Sequence, residues 1–202
     1  MGAAPTFFFG AQRMVEPVEK PHSKNLRLNR RMGGPGAFLV TKCVEPREKV
    51  ISELVALEIC SSLCFYAETP KILLAAFVVM LDHWHAVLAT SDGQTISKRM
   101  KILDQWISRQ TDALLQASWE ANSDGKLCRP ESGSHFGGGW QPGFHETAVQ
   151  SSKQFRFVCA YVEENPVRAG LAKAVSDWKW CSANPQYQRF MARPWPWTFE
   201  KS

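Results

Sequence analysis

Apolar residues recur along this chain with two rhythms, and the changes from one to the other divide it into elements. "AFLVTKCVE" at 37–45 is β-branched and apolar, as a strand is. "EKVISELVALEICSSLCFYA" at 48–67 places apolar residues at steps of three and four, which predicts an amphipathic helix. "KILLAAFVVM" (71–80) and "HWHAVLAT" (83–90) predict two strands, with "LD" between them as a hairpin-length gap. "TISKRMKILDQWISRQTDALLQASWE" (95–120) predicts a long helix with a basic side made by Lys98, Arg99, Lys101 and Arg109. The Gly- and Ser-rich stretch at 121–139 is a loop, and "WQPGFHETAVQ" (140–150) a fourth strand with an irregular start. "SSKQFRFVCAYVEEN" (151–165) opens on cap-type serines and keeps a helical period through Phe155, Val158 and Val162. Pro166 biases Asn165 away from helical geometry, so this helix is expected to end or kink there.

The order β-α-β-β-α-β-α is that of an α+β, ferredoxin-like fold: an antiparallel sheet with helices on one face. The domain expected from these elements covers 37–183, between a basic N-terminal arm (1–36) and a C-terminal tail (184–202).

Composition adds limits. A chain of 202 residues, 45% hydrophobic, is long enough for one packed domain and unlike a disordered one. The longest apolar run, "ILLAAFVVML", is too short to span a bilayer, and "MGAAPTFFFGAQR" lacks the basic start of a secretory signal, so a cytoplasmic, membrane-free protein is expected. The six cysteines form no Cys-x-x-Cys pair and read as buried free thiols. The net charge of +5 is uneven: residues 1–36 hold six cations, Arg30 and Arg31 among them, against two acids. Such an arm suits a polyanion, and equally a solvated tail.

The histidines of "DHWHAV" stand one residue apart in a predicted strand, so His83 and His85 share a face and Trp84 takes the other. Two imidazoles side by side form half of a metal site, or a hydrogen-bonded pair in a core; spacing alone leaves both open.

"FVCAYVEENPVRAGLAKAVSDWKWCSA" (157–183) closely resembles a block of the REP-associated tyrosine transposases, in which a tyrosine precedes an "NPVRAGLV" run and then a Trp-x-Trp-Ser-Ser-Ala segment. "WQPGFHE" is similar to that family's Trp-Gln-x-Gly-Phe strand. "AFVVMLDHWHAV" is similar to its Tyr-Val-x-Met-Pro-Asn-His-Val-His block, the His-hydrophobe-His signature of HUH single-strand nucleases. Three departures stand out: "LD" replaces Pro-Asn before the histidines, Trp84 replaces a small aliphatic, and Cys181 replaces the first serine of Trp-Ser-Ser-Ala.

The resemblance implies a metal-dependent single-stranded DNA transposase and endonuclease. It would cleave and rejoin DNA at hairpin-bearing, REP-like sites through a 5′-phosphotyrosine intermediate. Tyr161 holds the nucleophile position. A free phenol titrates near ~10, so such a nucleophile needs help. A divalent ion, Mg²⁺ or Mn²⁺, held by His83, His85 and Asn165 would polarise the phosphate. Asn165 follows Tyr161 by four residues, on the same helical face; before Pro166 it can equally cap a short helix "PVRAG". Arg30, Arg31, Lys98, Arg99 and Arg168 are candidate DNA contacts, while Glu163 and Glu164 read as a solvated face, with Glu164 within reach of a metal. The expected partner is single-stranded or hairpin DNA, and the acting form a monomer or a homodimer. Two other readings stay open: a hairpin-DNA-binding protein of the same fold without the chemistry, and a zinc hydrolase taking His135 or His145 as third ligand.

Overall fold

The computed structural model describes residues 36–45, 50–69, 71–91, 94–122 (115–122 as backbone only) and 139–193. Arg30, Arg31, most of the basic arm, most of the glycine-rich loop including His135, and the last nine residues lie outside them.

Strands β1 (Ala37–Cys43), β2 (Ile72–Val79), β3 (His83–Thr90) and β4 (His145–Val149) form one antiparallel sheet in the order β2-β3-β1-β4. Helices α1 (Glu53–Ala67), α2 (Ile96–Asn122) and α3 (Ser152–Arg168) complete the α+β, ferredoxin-like arrangement. None of the described helices is long and apolar enough to cross a membrane. Helix α1 begins later than the apolar period suggested, because the Ser52 hydroxyl caps it by accepting the Val55 N–H.

The expectation of helices on one face holds for α1 and α2 and fails for α3. Val40, Phe77, Val79, Trp84, Ala86 and Leu88 pack with α1 and α2 in one core. Ala76, Val78 and Val87, with Val158 and Val162 of α3, make a second core on the other face. Both faces of β2 and β3 are apolar, so each needs a cover. A bulge arranges this: Leu74 pairs with Leu88 and Ala76 with Val87, leaving Ala75 as the extra residue. Leu74 and Phe77 therefore face the same core despite being three apart.

Helix α3 does not stop at Asn165. It runs through Pro166 to Arg168, because a proline in the last turn forfeits just one backbone bond. The end comes at Gly170, whose φ of 71° is the left-handed conformation of a helix C-cap. Leu171 N–H donates to the Pro166 carbonyl (2.8 Å) and Gly170 N–H to that of Val167 (3.0 Å), a complete Schellman motif. "PVRAGL" is thus a stop signal, and Asn165 an interior residue that caps nothing.

Residues 184–193, expected as part of a tail, pack on the sheet. Tyr187 and Met191 are buried in the α1/α2 core, with the Tyr187 ring edge-on to Phe77 at 5.1 Å. On the way there the chain runs along the outer edge of β2. Trp180 O accepts from Val79 N–H (2.8 Å), Phe77 O from Ser182 N–H (2.9 Å) and Leu74 O from Ala192 N–H (2.8 Å). This strap satisfies edge groups that would otherwise invite another strand.

Gly170→Ala places a Cβ in open space but at an unfavourable φ. The expected cost is about 1 kcal/mol, read as a lower urea midpoint with an unchanged slope.

Candidate active site

The turn between β2 and β3 is pinned by its carbonyls, Leu81 O accepting from Ile51 N–H (2.6 Å) and Asp82 O from Val44 N–H (2.9 Å). His83 and His85 follow on the face that α3 covers, and Trp84, fully buried, goes to the opposite core. The two imidazoles turn toward each other, with Nε2 to Nε2 at 3.1 Å and ring centroids 4.6 Å apart.

Each ring is oriented from behind. Asp82 Oδ1 lies 2.6 Å from His83 Nδ1. An ionised carboxylate only accepts, so that nitrogen carries the proton and Nε2 is left with a lone pair. Thr41, opposite His85 in the β1–β3 register, places Oγ1 2.7 Å from His85 Nδ1. A hydroxyl both donates and accepts, so Thr41 suits either tautomer of His85. The Leu81-Asp82 departure therefore supplies a partner for His83.

Burial pushes the His85 imidazole down to about 4, with the charge of His83 adding to the effect and that of Asp82 opposing it. His85 thus stays neutral near pH 7, with one ring nitrogen free to offer a lone pair. Two ligands bound at about 2.1 Å to adjacent positions of an octahedral ion stand roughly 3.0 Å apart, so the imidazoles are spaced to hold a divalent cation.

Tyr161 stands beside them on α3, its ring centroid 6.0 Å from that of His85. Asn165, one helical turn on, shares that face; its Nδ2 is buried and has no hydrogen-bond partner among the described residues. Amide nitrogen and oxygen exchange on a flip, so this side chain can offer a buried oxygen to a cation. Arg168 lies with its guanidinium carbon 5.5 Å from the centre of the Tyr161 ring and pairs with Glu164 at 2.9 Å.

The structure thus brings His83, His85, Tyr161, Asn165 and Arg168 together. Lys98 and Arg99 belong to the first turn of α2, on the other side of the sheet. Glu164 is engaged by Arg168, and Glu163 is no solvated residue: its carboxylate bonds the Ser182 hydroxyl at 2.8 Å. His145 shares the imidazole face but pairs with Thr41, one strand beyond the neighbour of His85, roughly 9.5 Å across two strand spacings. No group of three or more His, Cys, Asp or Glu able to hold a metal occurs among the described residues, so His145 brings the pair no third ligand of that kind; His135 lies outside those residues. Sequence reasoning missed Asp82 and Thr41 as partners of the imidazoles. Asp82 was visible as a carboxylate next to His83, whereas Thr41 is identified only by strand register.

Because His85 titrates lower in the folded chain than its usual 6.5, the unfolded chain binds more protons between pH 6.5 and about 4. In the presence of a chelator, stability should therefore fall as pH drops through that window, by up to about 3 kcal/mol from this group. Asp112, raised to about 6 chiefly by burial, contributes with the opposite sign. The check compares urea midpoints at several pH values with those of His85→Gln, in which the difference due to His85 should vanish.

Comparison with known proteins follows the same residues. The family model "Transposase IS200 like" matches residues 38–165, a span that includes both histidines, Tyr161 and Asn165. A stretch of 39 residues is 46% identical to a REP-associated tyrosine transposase of Escherichia coli (strain K12); it is 19% of this chain and spans about a quarter, 24%, of that relative. A solved structure of a REP-associated tyrosine transposase bound to a REP hairpin has a TM-score of 0.55 and 18% identity, covering 83% of this chain and 88% of that one. At that identity the likeness is one of fold, and it agrees with the sheet and helices above. Since the family match takes in more than half of the chain and the elements that carry its histidines and tyrosine, the chain belongs to the IS200-like transposase family.

Proposed function

We propose that this protein is a metal-dependent, single-stranded DNA transposase and endonuclease that cuts and rejoins DNA at hairpin-bearing sites, with Tyr161 as nucleophile. The observation that carries this reading is the placement of the Tyr161 ring 6.0 Å from His85, on the face where two imidazole nitrogens converge. A phenol, a pair of neutral nitrogen ligands and a buried amide form the set that phosphoryl transfer to a tyrosine requires. The relative's printed name, a transposase bound to a REP hairpin, supports hairpin DNA as the partner. One copy of the chain holds the whole set, which supports action by a single subunit.

His83, His85 and Asn165 would hold the ion, Mg²⁺ or Mn²⁺. When bound, it would polarise a phosphate oxygen and offset charge in the transition state. Tyr161 Oη attacks phosphorus and forms the O–P bond, while the bond from phosphorus to the 3′-oxygen breaks. The phenolic proton passes to solvent, and the departing 3′-oxygen takes up a proton from solvent and leaves as a free hydroxyl. The 5′-phosphate stays on the tyrosine, so the bond energy is retained for rejoining, which runs the same exchange in reverse. Arg168, held by Glu164 next to the phenol, can meet a non-bridging phosphate oxygen. Asp82 and Thr41 hold the imidazoles in ligand orientation, as carboxylates and hydroxyls do behind metal-bound histidines.

Incubation with hairpin oligonucleotides and Mg²⁺ or Mn²⁺ should give a covalent protein–DNA adduct on a denaturing gel, and Tyr161→Phe should abolish it. An adduct that survives the substitution, or tight hairpin binding with no cleavage under any divalent ion, would overturn the reading. Asp82→Asn keeps an acceptor beside His83 but replaces the carboxylate that orients its ring with a weaker, neutral one. Mn²⁺ affinity, followed by the electron paramagnetic resonance of the free ion, should weaken about tenfold or more.

A further inference from the structure

Helix α3 buries Val158, Val162 and Pro166, a single stripe with a spacing of four. Beneath it lie small residues, among them Ala75, Ala76 and Val78 of β2 and Val87 of β3. Apolar contact is not directional, and a smooth bed of alanine and valine resists rolling of a helix weakly. Tyr161 and Glu163 flank Val162 in sequence, so at about 100° per residue they project on opposite sides of that stripe. A roll that lowers one raises the other.

Glu163 is tied down. Its Oε1 accepts from the Ser182 hydroxyl at 2.8 Å, and Ser182 is fully buried. The same hydroxyl oxygen accepts the Phe77 N–H at 3.0 Å, and the Ser182 N–H donates to the Phe77 carbonyl at 2.9 Å. Ser182 thus clasps both backbone groups of one β2 residue and passes its single proton to the helix. Phe77 is next to Val78, which pairs with His85 in the β2–β3 register. Arg193 approaches the same carboxylate oxygen at 3.5 Å from the far end of the strap.

We propose that Glu163 and Ser182 are positioning residues. Their hydrogen bond sets the roll of α3 over the sheet, and with it the place of the Tyr161 hydroxyl relative to the paired imidazoles. The inference rests on the proposed function only for its effect on catalysis; its geometric part stands without it. A directional bond on one flank of the stripe supplies what the apolar contact lacks. A hydrogen bond to a charged acceptor is strong enough for its loss to change a rate by roughly tenfold or more.

The test uses the full chain in three variants. Ser182→Ala removes the bridging hydroxyl, Glu163→Ala removes the acceptor, and Glu163→Gln keeps an oxygen that can still accept. At saturating hairpin DNA, single-turnover adduct formation should slow roughly tenfold or more in Ser182→Ala and Glu163→Ala, with the hairpin Kd changed less than about twofold. Glu163→Gln should stay within about threefold of the wild type. Should Ser182→Ala fail to fold, the two Glu163 variants decide the matter.

A second readout needs neither DNA nor metal. 3-Fluorotyrosine incorporated throughout gives three resonances, one per tyrosine, and Tyr161→Phe assigns the one at 161. That resonance senses the His85 ring 6.0 Å away. It should move in both alanine variants and stay in place in Glu163→Gln. An unmoved resonance, or an adduct rate that falls only as DNA binding falls, would overturn the inference. A wild type that forms no adduct while the resonance still shifts would count against the proposed function alone.

Discussion

Two imidazole nitrogens that face each other at 3.1 Å cannot both leave their lone pairs unanswered in a partly buried site; a proton or a cation must stand between them. The surroundings allow the N–H of a neutral His85 to fill that place, and leave a lone pair on each ring for a cation when His85 takes its other tautomer. Asp82 keeps the proton of His83 on the far nitrogen, and burial makes His85 a poor proton acceptor. Thr41 tolerates whichever tautomer results. A pinned turn then prevents the rings from swinging apart, since the carbonyls of Leu81 and Asp82 are held by amides from two other segments. The pair keeps its geometry because the turn beneath it is held at both carbonyls.

That pair lies on the shallower of the two sheet faces. The α1/α2 core is built from large side chains such as Trp84, Phe77, Leu88, Met100 and Ile59. The bed under α3 is mostly alanine and valine. Small residues let a helix approach closely, and close approach brings a side chain of α3 beside an imidazole of β3. The same choice of residues leaves the helix weakly keyed to its seat. The strap along β2 answers this from outside the interface, through Ser182, Trp178 (whose indole N–H reaches Val79 O at 2.8 Å) and the residues that return to the large core. The three parts belong together: a rigid pair of nitrogens, a close helix and a tether.

Much of this was legible in the residues. Period and composition gave the order of seven elements, the shared face of His83 and His85, and the one-turn spacing of Tyr161 and Asn165. These are local properties: side-chain direction alternates along a strand and repeats every few residues along a helix, whatever the rest of the chain does. Of the two effects expected of Pro166, an end or a kink, the end does not occur, for an equally local reason. The bias it exerts on Asn165 is real, but a Schellman end at Gly170 and a packed stripe below outweigh it over the last turn.

What the sequence determined by itself, then, is which groups are available and which of them share an element. Tertiary structure decided which elements meet. The bulge at Ala75, the assignment of α3 to the second face, the pairing that sets Thr41 behind His85, and the route of the strap that couples Glu163 to Ser182 all depend on register between distant segments. Hydrophobic patterning cannot encode that register here, because both faces of β2 and β3 are apolar and alternation carries no sign.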